Sequence, residues 1–390
     1  MAHRHDQPVD PGARRVVTAA AVVLALLTVA GMVVLRPGDP LGRPDLGELS
    51  SFDFVDAKVV DVDPAGCVNS PPEAGIECDL VHVEVLGGPD EGDVTSLEFP
   101  ESAMTPDLDE GDRIVLSYSP GAEPGFQYNL ADRGRKPVLL WLAVLFAVSV
   151  VVLGRLRGVT ALAGLVATVI VLVAFALPAI IDGRSPIAVS VVAAAAISFV
   201  ALYAAHGFTV MTTVALLGTL ASLVITAVLA VAFVEVARFS GFGSEEATFL
   251  SSVTGRIDLR GLLLAGVVVG ALGAIDDMTV TQASAVWELR AADPAMSARR
   301  IYGAGLRIGR DHVASTVNTL FLAYAGASMP LFVLFVLAEQ SLASIANSEV
   351  VAVEIVRTLV GSIGLVAAVP LTTWLAARCL PPAVDAAEPA

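Results

Sequence analysis

The chain has 390 residues, is 55% hydrophobic, carries 16% charged residues and has a mean hydropathy of +0.75. Soluble domains carry roughly 25% charged residues, so this balance excludes an ordinary soluble protein. The net charge of −16 is concentrated: Arg36–Lys136 holds 22 Asp and Glu against 7 Lys and Arg, or −15, which argues against a nucleic-acid partner.

The first apolar run is Val16–Leu35, preceded by Arg4, Arg14 and Arg15. It is longer than the apolar core of a secretory signal and ends without a small-x-small cleavage motif, so it reads as an uncleaved anchor, with a cleaved signal as the alternative. In the acidic segment that follows, short alternating runs predict five strands: Ala57–Asp63, Asp79–Leu86, Asp93–Phe99, Arg113–Ser119 and Phe126–Leu130. They suit a small all-β domain, an OB-like barrel or a sandwich. Cys67 and Cys78 lie close together here, and the reading divides evenly between a disulfide and two small buried thiols. Neither has His or Cys neighbours at zinc spacing.

From Pro137 onward the chain is nearly all apolar. Seven further spans are predicted: Val138–Leu153, Val159–Ile181, Ile187–Ala205, Phe208–Ala237, Leu262–Trp287, Val313–Ala338 and Val350–Ala377. The fold class is therefore an α-helical polytopic membrane protein of about eight helices, with the β-domain between helices one and two. The predicted layout is a tail over 1–15, an anchor over 16–35, the β-domain over 36–136, a seven-helix bundle over 137–378 and a tail over 379–390. Arg14, Arg15, Arg155, Arg157, the loop Glu288–His312 and Arg378 place both termini in the cytoplasm and the β-domain outside. Arg184 and the loop Arg238–Arg260 are exceptions to this charge rule. That loop holds a helical-looking stretch, Ser244–Val253, read equally as an interfacial helix or a connector. Two Lys against 21 Arg, with abundant Ala and Val, suggest a GC-rich bacterial genome, hence the inner membrane.

Ionisable residues inside a span cost roughly 2.5–3.5 kcal/mol on insertion scales and tend to face the bundle interior, so they direct the search for function. Span six carries adjacent Asp276 and Asp277, then Thr281 and Gln282. Asp277, Thr281 and Ser284 share one helical face, with Asp276 about 100° away. The expected ion or proton site is lined by Asp277, Thr281 and Gln282; a helix cap after a break at Gly273 is the competing reading. Span seven begins with Asp311 and His312, and Asp311, Ser315 and Asn318 share a face. Asn318 is expected to hydrogen-bond span six, as ligand or as glue. Glu354 and Arg357 in span eight read as an intrahelical pair, and Glu235 as a snorkelling side chain. No phosphate-binding loop, nucleophile elbow or His-Glu-x-x-His helix occurs, so no enzyme chemistry and no cofactor are expected.

Asp258-Leu-Arg-Gly261 leading into Gly270-Ala-Leu-Gly-Ala-Ile-Asp-Asp277, and Gly309-Arg-Asp-His312 leading into Asn318-Thr-Leu-Phe-Leu-Ala-Tyr-Ala-Gly-Ala-Ser-Met-Pro330, resemble the YibE/F family of bacterial multi-pass membrane proteins. The resemblance embraces most of Val16–Ala377. The family pattern has one acidic residue where this chain has two; Asp277 is the match and Asp276 the addition. The resemblance implies a membrane protein often supposed to be a permease, and it supplies neither substrate nor catalytic residues. Two functions follow as expectations. The first is a transporter or permease of unspecified substrate, ions among the candidates, with its polar site on spans six and seven. The second is a non-enzymatic envelope or signalling component whose β-domain binds an extracytoplasmic protein. The lipid bilayer is the one partner both require.

Overall fold

A computed structural model describes residues 9–38, 53–63, 78–100, 107–123, 126–254 and 257–382. The Cys67–Cys78 question lies outside the described residues, because Cys67 and the Cys78 side chain are not among them. The chain divides into two units, Asp45–Ser149 and the remainder, Met1–Pro44 with Val150–Ala390.

The first unit is built around an antiparallel sheet. Its strands are β1 (Asp53–Asp63), β2 (Cys78–Val85), β3 (Val94–Pro100), β4 (Arg113–Tyr118) and β5 (Tyr128–Arg133), in the order β3-β2-β1-β4-β5. Period-two alternation sets the core: Val55, Ala57 and Val59 of β1 point inward, and so do Val81, Val83 and Val85 of β2 and Ile114 and Leu116 of β4. The intervening acidic residues point out, which is how one segment carries so much charge and still has an apolar interior. Register shifts between Val59 and Asp61 on β1, and between Val115 and Leu116 at the β4–β5 pairing, mark bulges. Bulges increase twist, and the sheet curls so that β3 and β5 approach each other. Tyr128 is buried in this curl beside the Tyr118 ring, with centroids 5.0 Å apart, and its hydroxyl donates to Asp90 Oδ2 at 2.6 Å. Burial, reinforced by the Asp90 carboxylate, pushes the Tyr128 phenol well above its ordinary value.

The second unit is helical. Its elements are α1 (Pro11–Val34), α2 (Lys136–Gly154, which begins in the first unit), α3 (Leu156–Val171), α4 (Leu177–Ile181), α5 (Pro186–His206) and α6 (Val210–Val236). Then come α7 (Glu245–Thr254), α8 (Leu259–Ala292), α9 (Ala298–Ala327), α10 (Met329–Leu337), α11 (Leu342–Asn347) and α12 (Glu349–Cys379). One π-helical segment, Leu172–Ala176, joins α3 to α4 just before Pro178, whose missing N–H cannot serve the preceding turn. Helices α3 and α4 with this segment pass as one apolar span. Arg155 turns the chain between α2 and α3 with φ 52°, and Gly158 lies so close to the Val150 carbonyl that a Cβ would collide.

Helices α5, α6, α8 and α12 form the centre of the bundle. Small residues let α6 and α12 approach: Gly218 faces Thr372, and Gly364 faces Thr226. Most outward faces are apolar, as at Leu153, Val228 and Leu337. Among the described residues, seven helices are long and apolar enough to cross a membrane, and eight if the bent pair α9–α10 counts as one span. This is a polytopic membrane protein. The start of α1 and the end of α12 meet, since the backbone N–H of Asp10 donates to the Cys379 carbonyl at 3.0 Å.

One predicted feature differs. The expected loop Glu288–His312 is mostly helix, because α8 runs to Ala292 and α9 starts at Ala298. The first half of α9 buries Ile301, Gly305 and Gly309 and exposes Arg299, Arg300, Arg307 and Arg310, an amphipathic pattern too polar for a hydropathy window to register. Span seven is not straight: α9 and α10 bend by 61° at Ser328, just before Pro330. The stretch after α6 does form a helix, α7, and Ser244 Oγ accepts from the Ala247 N–H at 3.2 Å near its start.

Candidate functional site

Helix α8 brings polar side chains to two different faces. Asp276 lies on the inner face, half-buried, toward α5 and α6. Ser198 Oγ of α5 donates to Asp276 Oδ1 at 3.3 Å, and Thr219 of α6 lies on the same side of α8. Thr219 and Thr279 hydroxyls are 2.7 Å apart, and Thr279 Oγ1 donates to the Asp276 carbonyl at 3.0 Å. Ser198, Thr219 and Thr279 are all fully buried. Nearby, Ser222 follows Thr219 by one turn of α6, and Thr372 of α12 lies against Gly218. Both hydroxyls are buried without a hydrogen-bond partner among the described residues. No cationic side chain pairs with Asp276 among the described residues.

Asp277 takes the other face, as a 100° step requires. Its side chain is 69% exposed, and His312 Nε2 of α9 lies 3.7 Å from its Oδ2. Thr281 is exposed beside it. Gln282 returns to the interior, where its Nε2 donates to the Gly305 carbonyl at 2.8 Å and to Thr373 Oγ1 at 2.7 Å, tying α8 to α9 and α12. That amide is engaged in helix association, which is its simplest role. Asp311, Ser315 and Asn318 share a face of α9 as predicted, but that face is exposed. Asn318 therefore makes no bond to α8, and has no hydrogen-bond partner among the described residues. The expected grouping thus separates into an inward Asp276, a structural Gln282 and an outward set of Asp277, Thr281, Asp311, Ser315 and Asn318.

The residues that complete the inner group, Ser198, Thr219 and Thr279, were absent from the predicted set. Their signal was available: Thr212, Thr219, Ser222 and Thr226 recur on one face of α6, a hydroxyl seam inside an apolar span. A second polar cluster is formed by Arg357, whose Nη1 donates to Glu354 Oε1 at 2.7 Å and whose guanidinium lies 5.8 Å from the Tyr324 ring centroid. Gly266 and Gly270 of α8 make room for these side chains. Glu235 meets Arg260 at 3.2 Å. Among the described residues, no group of three or more His, Cys, Asp and Glu is placed to hold a metal ion.

A family model described as YibE/F-like protein matches residues 142–382. The chain belongs to this family. The matched region contains Asp276 and every side chain of its surroundings; it is narrower than Val16–Ala377, and α1 and the sheet lie before it. No curated protein and no solved structure matches the chain.

Proposed function

We propose that the chain is a membrane transporter or permease for a small ionic solute, with Asp276 as its charge-handling group. The observation that carries this reading is the Asp276 carboxyl on the inner face of α8, bonded to the neutral hydroxyl of Ser198, beside the Thr219–Thr279 hydroxyl pair, and paired with no cation among the described residues. A lone carboxylate in a lipid-enclosed interior is costly unless it holds a proton or a cation, and such a group is suited to coupling. The bent α9–α10 pair adds a broken helix of the kind that lines solute paths. Nothing in this role calls for enzyme chemistry or a cofactor.

The topology that fits has eight crossings, both termini in the cytoplasm and the chain in a bacterial inner membrane. The Asp10–Cys379 hydrogen bond favours it, since ends that meet require an even number of crossings. The sheet is then extracytoplasmic, and its strand order with β3 near β5 favours closure as an OB-type barrel. Reporter fusions after Arg378 and within β4 read the two sides. The alternative role, partner binding by the sheet unit, has in its favour the exposed Phe54 and Phe126.

The test is complementation. A strain lacking the gene, carrying the wild-type chain or Asp276→Asn, is scored for growth across ions and small charged solutes. Transport through this site predicts a condition that wild type rescues and the variant does not. Equal rescue by both overturns the assignment.

A further inference from the structure

The surroundings of Asp276 have the composition of a site for one small hard cation. The polar side chains grouped there offer oxygen only: the Asp276 carboxylate, the Ser198 hydroxyl bonded to it, and the Thr219–Thr279 hydroxyl pair, tied to the Asp276 carbonyl through Thr279. We propose that this group binds a single Na+ ion, with Asp276, Ser198 and one of the two threonines as ligands. The inference deepens the transport reading and rests on it for the choice of site.

Charge selects the class. One carboxylate with neutral hydroxyls balances one positive charge, whereas Ca2+ sites gather several carboxylates. Charged groups on the packed helices are remote along the chain. Helix α5 has His206 eight residues from Ser198, with Tyr203 between and bonded to Thr213. Helix α6 has Glu235 sixteen residues from Thr219, or about 24 Å along a helix. On α12, Glu354 and Arg357 are paired with each other, and Arg378 lies six residues past Thr372, against Trp374. On α8 the neighbouring Asp277 points away to His312 of α9.

Geometry selects the size. Ligand bonds of about 2.3–2.6 Å, the range for Ca2+, which resembles Na+ in radius, put adjacent ligand oxygens roughly 3.3–3.7 Å apart. Ser198 Oγ and Asp276 Oδ1 stand at 3.3 Å. The 2.7 Å between Thr219 and Thr279 is a hydrogen bond, so one threonine ligates while the other supports it. A hydroxyl that donates to the carboxylate can rotate its proton away and turn a lone pair to the ion without moving its oxygen. Ser222 and Thr372 are independent signs, since each is a fully buried hydroxyl in the adjoining seam with no partner among the described residues. Burying an unbonded hydroxyl is unfavourable, and water accompanying an ion beside Thr219 offers such hydroxyls a partner.

The experiment uses the full-length protein in detergent, melted in NaCl, KCl or choline chloride at constant ionic strength, with 22Na+ binding as a second readout. Na+ is expected to raise Tm saturably where choline does not. Asp276→Asn, which keeps shape and removes charge, abolishes the shift and the bound 22Na+. Thr219→Val weakens half-saturation by about tenfold, the equivalent of one lost ligand contact. Asp277→Asn, outside the group, retains both signals and shows that the effect is not general. Equal Tm in Na+ and choline with no 22Na+ bound, or a shift retained in Asp276→Asn, overturns the proposal. If Asp276→Asn melts as a misfolded protein, Ser198→Ala and Thr219→Val decide it: unchanged Na+ affinity in both overturns the site. A Tm that responds to pH and not to Na+ also overturns it, while the transport reading stands or falls separately on complementation.

Discussion

The sheet and the bundle solve opposite problems with opposite interiors. In the sheet unit the core is apolar, from Val55 through Leu116, and the charge faces outward. In the bundle most outward faces are apolar, that of α9 excepted, and the centre holds hydroxyls, Gln282 and Asp276. Water rewards burying apolar area and so sorts the first. Lipid gives no such reward between helices, so the second is held by close contact of small residues and by hydrogen bonds that have no competitor in lipid. The same substitution should therefore act differently in the two units.

The largest contrast is expected from truncating apolar side chains. Ile114→Ala, at a fully buried position in the sheet, is expected to destabilise that unit by about 2–5 kcal/mol. Leu153→Ala, on an outward face of α2, should change stability by less than about 0.5 kcal/mol. Urea or thermal melts of the full-length chain, followed by protease sensitivity of each unit, read this difference. Equal losses would break the comparison.

A clasp on the bundle comes next. Glu349, at the start of α12, accepts from the Ser240 and Gly241 backbone N–H groups at 2.9 and 2.7 Å and from Ser240 Oγ. Gly241 holds φ 84°, a conformation glycine adopts without strain. Glu349→Gln keeps shape but loses charge and one acceptor oxygen, and should cost about 1–2 kcal/mol in a thermal melt. Glu349→Ala should exceed it.

Gln282→Leu should cost about 1 kcal/mol or less, in keeping with measured interhelical hydrogen bonds in membranes. Its partners remain satisfied, since Thr373 Oγ1 also donates to the Val369 carbonyl and Gly305 lies within α9. A loss of several kcal/mol would show that the amide does more than join helices.

An effect of similar size is pH-dependent and belongs to the sheet. Tyr128→Phe removes the bond to Asp90 and should cost about 1 kcal/mol at neutral pH. The folded state raises the phenol above its ordinary value of 10.0, so the stability it confers is fully present below that pH. It is lost as pH rises from there toward the raised value. Alkaline melts should show wild type losing stability over this window and Tyr128→Phe losing less.

Much of the architecture was legible because long apolar runs and period-two alternation are one-dimensional patterns. The spans, the five strands and the Glu354–Arg357 pair all follow from spacing along one element. The first half of α9 was missed because a hydropathy window averages over both faces of an amphipathic helix. The Asp276 group was legible only in part, since its members lie on three helices, with the Ser198–Asp276 and Thr219–Thr279 bonds joining residues 78 and 60 apart in the chain.

Sequence alone determined that Asp276 and Asp277 stand about 100° apart on one helix, and that Asp311, Ser315 and Asn318 share a face. Periodicity gives angles between side chains on a helix, and never the absolute direction in which the helix is turned. That rotation was decided by packing: α8 has polar groups around most of its circumference, and the contacts of Ile275, Met278 and Gln282 with neighbouring helices chose the inward face. They brought Asp276 against Ser198 and Thr219, and left Asp277 outside.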